Sequence, residues 1–110
     1  MAFEIFQSEK SGKYYFRLKA TNGQVILASE AYENKDGATN GVRSVVQNTA
    51  GGDDKFDRRE AKDGSSYFVL KAGNGQIIGK SEMYASKQGM ENGIKSVISN
   101  ANGAGVKDLT

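Results

Sequence analysis

Apolar and polar positions alternate through residues 14–20, YYFRLKA: Phe16, Leu18 and Ala20 fall on one side, Tyr15, Arg17 and Lys19 on the other. A period of two is that of a strand buried on one face. Asn22-Gly23 follows, a pair suited to a two-residue type I′ hairpin, and QVILA returns as the partner strand. From Lys35 the period changes: Ala38, Gly41, Val42, Val45, Val46 and Thr49 recur in steps of three and four, which predicts an amphipathic helix with Asn34 as its N-cap. A short aromatic and β-branched run at residues 3–7, closed by a turn at Lys10-Ser11-Gly12, predicts one more strand ahead of the hairpin.

The whole pattern then occurs again. LKATNGQVI at 18–26 returns as LKAGNGQII at 70–78, an offset of 52 residues. The same offset carries Tyr15-Phe16 onto Tyr67-Phe68, Ser29-Glu30 onto Ser81-Glu82, Asn40-Gly41 onto Asn92-Gly93, and the helix positions onto Met90, Gly93, Ile94, Val97, Ile98 and Ala101 after the cap Ser86. About half the positions from Lys10 to Ala50 are identical in the second copy, which marks a tandem duplication. One domain over residues 1–110 is expected, with repeats at 1–52 and 53–110. Gly41 and Gly93 lie on the apolar stripe of each helix, where glycine costs about 1 kcal/mol relative to alanine. A close approach of helix to sheet would offset that cost.

Composition removes several chemistries. The 110 residues contain no Cys and no His, so thiolate nucleophiles, disulfides, imidazole bases and Cys/His metal sites are excluded. Fifteen basic and thirteen acidic side chains give a net charge of +2, with each repeat at +1, far from the one-sided charge of a duplex-binding protein. No segment has the length and apolarity of a signal peptide core or a membrane span, and a cytoplasmic location is expected with no membrane partner.

The run Y-F-x-L-K-A-x-N-G-Q-[VI]-I, then S-E-x-Y-x-x-K-x-G and N-G-[VI]-[RK]-S-V, present twice, resembles the YegP-like family of small bacterial proteins of unknown function. The resemblance implies a β3-α-β unit whose two copies share one antiparallel sheet and exchange their last strands. It carries no reaction, substrate, cofactor or catalytic residue. In those terms residues 54–60 are expected to bridge the halves and residues 105–109 to pair back onto the first repeat. The fold expected is α+β: tandem βββα(β) repeats forming one antiparallel sheet of about six or seven strands, with two helices on one face.

Three groups of residues are candidates for function. Ser29-Glu30-x-Tyr32 and Ser81-Glu82-x-Tyr84 recur between hairpin and helix, and a pseudo-twofold axis could pair Glu30 with Glu82 as a cation site or an acid and base. The structural reading is preferred: Ser satisfies turn backbone, Glu lies near the helix start and Tyr seals the corner. Asn40 and Asn92 are expected to tie their helices to neighbouring loops. The sheet face away from the helices would carry Tyr15, Arg17, Lys19, Tyr67, Lys71 and Lys80, rings beside cations as in single-strand nucleic-acid binders. Such a face is also what solvent or self-association requires, and Val69 interrupts the charge row where Arg17 stands in the first copy. A non-enzymatic binding or interaction module is expected, with no cofactor and with a second copy of the chain or another macromolecule as partner. Nucleic-acid binding through the open face, and a carboxylate enzyme built on Glu30 and Glu82, are the alternatives.

Overall fold

A computed structural model describes residues 2–110. The alternating run becomes strand β2 (Tyr14–Lys19), where Phe16 and Leu18 are fully buried and Tyr15, Arg17 and Lys19 half-buried on the other face. Before it comes β1 (Ala2–Gln7) and after it β3 (Val25–Ala28), then α1 (Lys35–Thr49). The second repeat supplies β4 (Phe56–Glu60), β5 (Ser66–Lys71), β6 (Ile77–Lys80) and α2 (Lys87–Ala101), and β7 (Gly105–Asp108) ends the chain. Both helices start as their caps predict: Asn34 Oδ1 accepts from the Gly37 N–H at 2.8 Å, and Ser86 Oγ from the Gly89 N–H at 3.0 Å.

The hairpins differ from the expected two-residue type I′ form. Gly23 and Gly75 have φ of +84° and +86°, but no other residue type in the described chain has positive φ, and type I′ needs two positive angles. The loops are three residues long instead. The Gly23 N–H donates to Ala20 O and the Ala20 N–H to Gln24 O, while Asn22 Oδ1 accepts from the Gln24 N–H at 2.9 Å. The same bonds recur at Ala72, Gly75 and Gln76. An Asn that bonds its own loop in this way keeps an ordinary φ and leaves the left-handed residue to Gly, forming a bulge.

Seven strands make one sheet in the order β4-β5-β6-β3-β2-β1-β7. The repeats meet at its centre, where β3 and β6 run antiparallel through the pair Ala28 and Lys80. The chain leaving each helix goes to the outer edge of the opposite half: α1 leads into β4 and α2 into β7. Residues 105–108 thus pair with β1 of the first repeat, extended by a bond from the Leu109 N–H to Ile5 O at 2.8 Å. That pairing is parallel, the single departure from an antiparallel sheet, because a helical crossover rather than a hairpin delivers the strand. Residues 54–60 carry the chain from α1 of the first repeat across to the second, where β4 pairs with β5 at the outer edge.

Both helices pack on one sheet face, and a single core runs through both repeats: Phe3, Phe16, Leu18 and Leu27 meet Phe56, Phe68 and Leu70 beneath Val45, Ile94 and Val97. The helix glycines are notches. A Cβ on Gly41 would stand 2.6 Å from the Phe16 ring and from Tyr32 Oη, and one on Gly93 would collide with the phenol of Tyr84. A third notch lies at the seam between repeats, where a Cβ on Gly79 would stand 2.8 Å from Leu27 Cγ.

Candidate functional site

With both helices on one side, the opposite face of the sheet is uncovered. Its residues are the out-of-phase members of each strand. On the first repeat the expected Tyr15, Arg17 and Lys19 of β2 are joined by Glu4 and Phe6 of β1, which stand opposite Arg17 and Tyr15 in the register. Glu4 is only 9% exposed, although it lies on the uncovered face. Arg17 Nε reaches its carboxylate at 2.7 Å and Lys19 Nζ at 3.4 Å, and the Arg17 bond above all holds the Glu4 carboxyl below the usual range. The Arg17 guanidinium also lies 4.4 Å above the Phe6 ring, which stacks on Tyr15 with centroids 5.6 Å apart. The row is therefore a closed set of contacts: ring on ring, cation on ring, carboxylate on cations.

The second repeat builds the same row with its members rearranged. Asp57 of β4 occupies the place of Glu4; it accepts from Arg59 Nε at 2.9 Å and lies 3.5 Å from Lys71 Nζ. Its carboxyl is again held low, chiefly by the Arg59 bond. Arg59 stands where Phe6 stands in the first repeat, and Val69, 2% exposed, stands where Arg17 does. Arginine and apolar residue have traded strands, so the charge row that Val69 interrupts in sequence is restored from β4. Lys80 of β6 lies over the Tyr67 ring at 5.1 Å.

The structure thus gathers all six expected residues on one face, Tyr15, Arg17 and Lys19 on one half and Tyr67, Lys71 and Lys80 on the other. Sequence reasoning missed Glu4, Phe6, Asp57 and Arg59. The signal for them was an acid in each first strand, between Phe3 and Ile5 and just after Phe56, in phase with the outward residues of the next strand.

The corner motifs have structural work. Ser29 Oγ accepts from the Phe16 N–H at 2.9 Å and donates to Glu30 O at 2.8 Å, and Ser81 does the same between Phe68 and Glu82. Tyr32 and Tyr84 fill the notches below Gly41 and Gly93; burial, with Glu30 or Glu82 nearby, raises both phenols above their ordinary pKa. Glu30 and Glu82 do not form a pair. They lie two residues beyond the Ala28–Lys80 pair in opposite directions, about 13 Å apart at ~3.3 Å per residue. Glu82 instead accepts from Gln24 Nε2 at 2.7 Å, tying the first hairpin to the second corner. No cluster of three or more carboxylates able to hold a metal ion exists among the described residues. Asn40 and Asn92 bond within their own helices, to Arg43 and Gln88, and not to neighbouring loops; both are exposed, so solvent meets the rest of their hydrogen-bonding capacity.

Comparison with known proteins gives a consistent picture. A domain of unknown function (DUF1508) matches twice, at residues 9–54 and 61–108, one match per repeat. A UPF0339 protein of Acinetobacter baylyi is 49% identical over 98% of this chain and 96% of its own length. The solution structure of a UPF0339 protein from Shewanella oneidensis superposes with a TM-score of 0.91 at 45% identity, covering 99% of this chain and 91% of that one. That of YegP from E. coli, described as a protein of unknown function, also gives 0.91, at 43% identity over 99% and 92%.

Proposed function

The chain belongs to the DUF1508 family, and from the geometry of its uncovered face we propose that it is a non-enzymatic, cytoplasmic binding module for a protein partner with an acidic surface. One observation carries the reading: the face holds six cations, Arg17, Lys19, Arg59, Lys71, Lys80 and Lys107, against two acids, Glu4 and Asp57, on a rigid sheet with aromatic ribs. The surplus of positive charge favours an acidic partner over a second copy of the same face. Half-buried rings beside Arg and Lys stems are the usual anchors of protein contacts.

Single-stranded nucleic acid is the second reading, and the pairing on the face weighs against it. Base stacking needs open ring faces, but Tyr15 is stacked by Phe6 and Tyr67 is covered by Lys80. Four of the six cations already neutralise Glu4 or Asp57, so fewer counterions would be released by a phosphate backbone. Enzyme chemistry would have to run without His or Cys, and Glu30 and Glu82, the carboxylates considered for it, stand too far apart to work as a pair.

The test compares capture from bacterial lysate by the parent chain and by a Tyr15→Ser, Tyr67→Ser variant, with and without nuclease. Expected is a captured protein that resists nuclease, elutes with salt, and falls at least tenfold with the variant while its circular dichroism stays unchanged. Capture that nuclease removes would move the assignment to nucleic acid. Capture indifferent to both tyrosines would remove the face from the account.

A further inference from the structure

The duplication leaves one position unmatched. On the first repeat, β7 covers the outer edge of β1; on the second, the outer edge of the corresponding strand β4 is bare. How β7 is seated shows what such an edge accepts. Val106 lies opposite Phe3 and, though 54% exposed, lines an apolar groove of about 330 Å³ together with Val42 and Val46 of α1. Lys107 stands opposite Glu4. Asp108 stands opposite Ile5 and is ion-paired to Lys35 in the first turn of α1, which pulls its carboxyl down to about 2.

Each of those receptors has a counterpart at the bare edge. Phe56 takes the place of Phe3, Asp57 that of Glu4, Ile94 and Ile98 those of Val42 and Val46, and Lys87 that of Lys35. Lys87 lines an open pocket of about 400 Å³ beside Arg58 and Glu60, and among the described residues it makes no ion pair. The backbone is also available. Lys55 O accepts from the Lys71 N–H, so by strand alternation the odd-numbered residues of β4 face β5 and Arg58 and Glu60 turn their N–H and C=O outward. Asp53 stands at the mouth of this slot, its carbonyl taking the Phe56 N–H, so the slot begins one residue further on. The bonds from Arg58 to Glu91 at 2.5 Å and to Asp53 at 3.0 Å blunt the edge against indiscriminate pairing, but they leave Lys87 and the outward backbone groups unanswered.

We propose that the β4 edge is a strand-addition site for an extended segment of another protein, lying parallel to β4 with an apolar residue over Phe56, a basic residue opposite Asp57 and an acidic residue at Lys87. Main-chain bonds to Arg58 and Glu60 provide the affinity, and the apolar, basic, acidic alternation provides the selectivity. This surface meets the uncovered face only at Asp57, and its variants leave Tyr15 and Tyr67 untouched.

The probe is a synthetic peptide with the sequence of residues 103–110, NG-free and known to suit the twin edge: Gly-Ala-Gly-Val-Lys-Asp-Leu-Thr. Titrated into the isotope-labelled full chain, it should shift the amides of Arg58, Glu60 and Lys87 saturably. Replacing the peptide's Asp by Lys, or introducing Lys87→Glu into the protein, should raise Kd at least tenfold with no change in the thermal melt, since Lys87 is exposed. Shifts confined to the β1 edge, no shifts at millimolar peptide, or an affinity indifferent to Lys87→Glu would overturn the proposal. Dimerisation of the peptide-free protein that Lys87→Glu abolishes would assign the edge to a second copy and equally overturn it.

Discussion

Glu4 concentrates the electrostatics of the uncovered face in one side chain. It is nearly buried on a surface with no covering layer because Arg17 and Lys19 reach over it from β2, and its charge is tolerated because these two cations meet it. Glu4→Gln keeps the shape and removes the charge; a loss of about 1–2 kcal/mol at neutral pH is expected, the scale of a hydrogen bond to a charged partner shared with solvent. Arg17 holds the folded-state pKa of Glu4 below the unfolded value of about 4.3, so this contribution is complete above that pH and disappears as pH falls through the lowered folded value. Urea unfolding at pH 7 should separate the two proteins, and unfolding at about pH 2 should bring them together. The outward residues of β2 were legible from alternation alone. Glu4 and Asp57 were not, since a five-residue run of aromatic and branched residues announces a strand without saying which neighbour its out-of-phase members will face.

At the scale of elements, periodicity and capping residues placed both helices with their starts at Lys35 and Lys87. The sequence also located the glycine notches but not what fills them. Phe16 and Tyr32 are 25 and 9 positions before Gly41, and only the fold brings them beneath it. This reverses an ordinary rule. Gly→Ala inside a helix normally gains about 1 kcal/mol, whereas the clash at 2.6 Å with Phe16 and Tyr32 should make Gly41→Ala a net loss of about 1–3 kcal/mol. Thermal melts decide it: a Tm above that of the parent would mean the helix has room to move off the sheet. The hairpins show the opposite limit of local reading. Asn-Gly correctly marked a reversal, but its loop length depended on the Asn side chain bonding the Gln two residues on from it, which the dipeptide alone does not specify.

For the whole molecule, the 52-residue offset revealed two like units, and their likeness to a known family implied a shared sheet. What the offset could not reveal is how copies that are nearly the same avoid each other at the centre. Leu27 and Gly79 are corresponding residues of the two repeats, and they touch across the seam; two leucines would not fit, so one copy keeps the knob and the other the hole. A difference that looks like drift in the sequence, QVILA against QIIGK, is thus a packing requirement created by joining the halves. Equilibrium urea unfolding of Leu27→Gly, Gly79→Leu and the double exchange tests that joining most directly. A shared sheet requires the singles to lose about 3–5 and 1–3 kcal/mol, from a cavity and from overpacking, and the double exchange to recover at least about 2 kcal/mol of their sum by moving the knob to the other side. Losses that simply add would mean that the two residues do not meet, and that the repeats close as separate units.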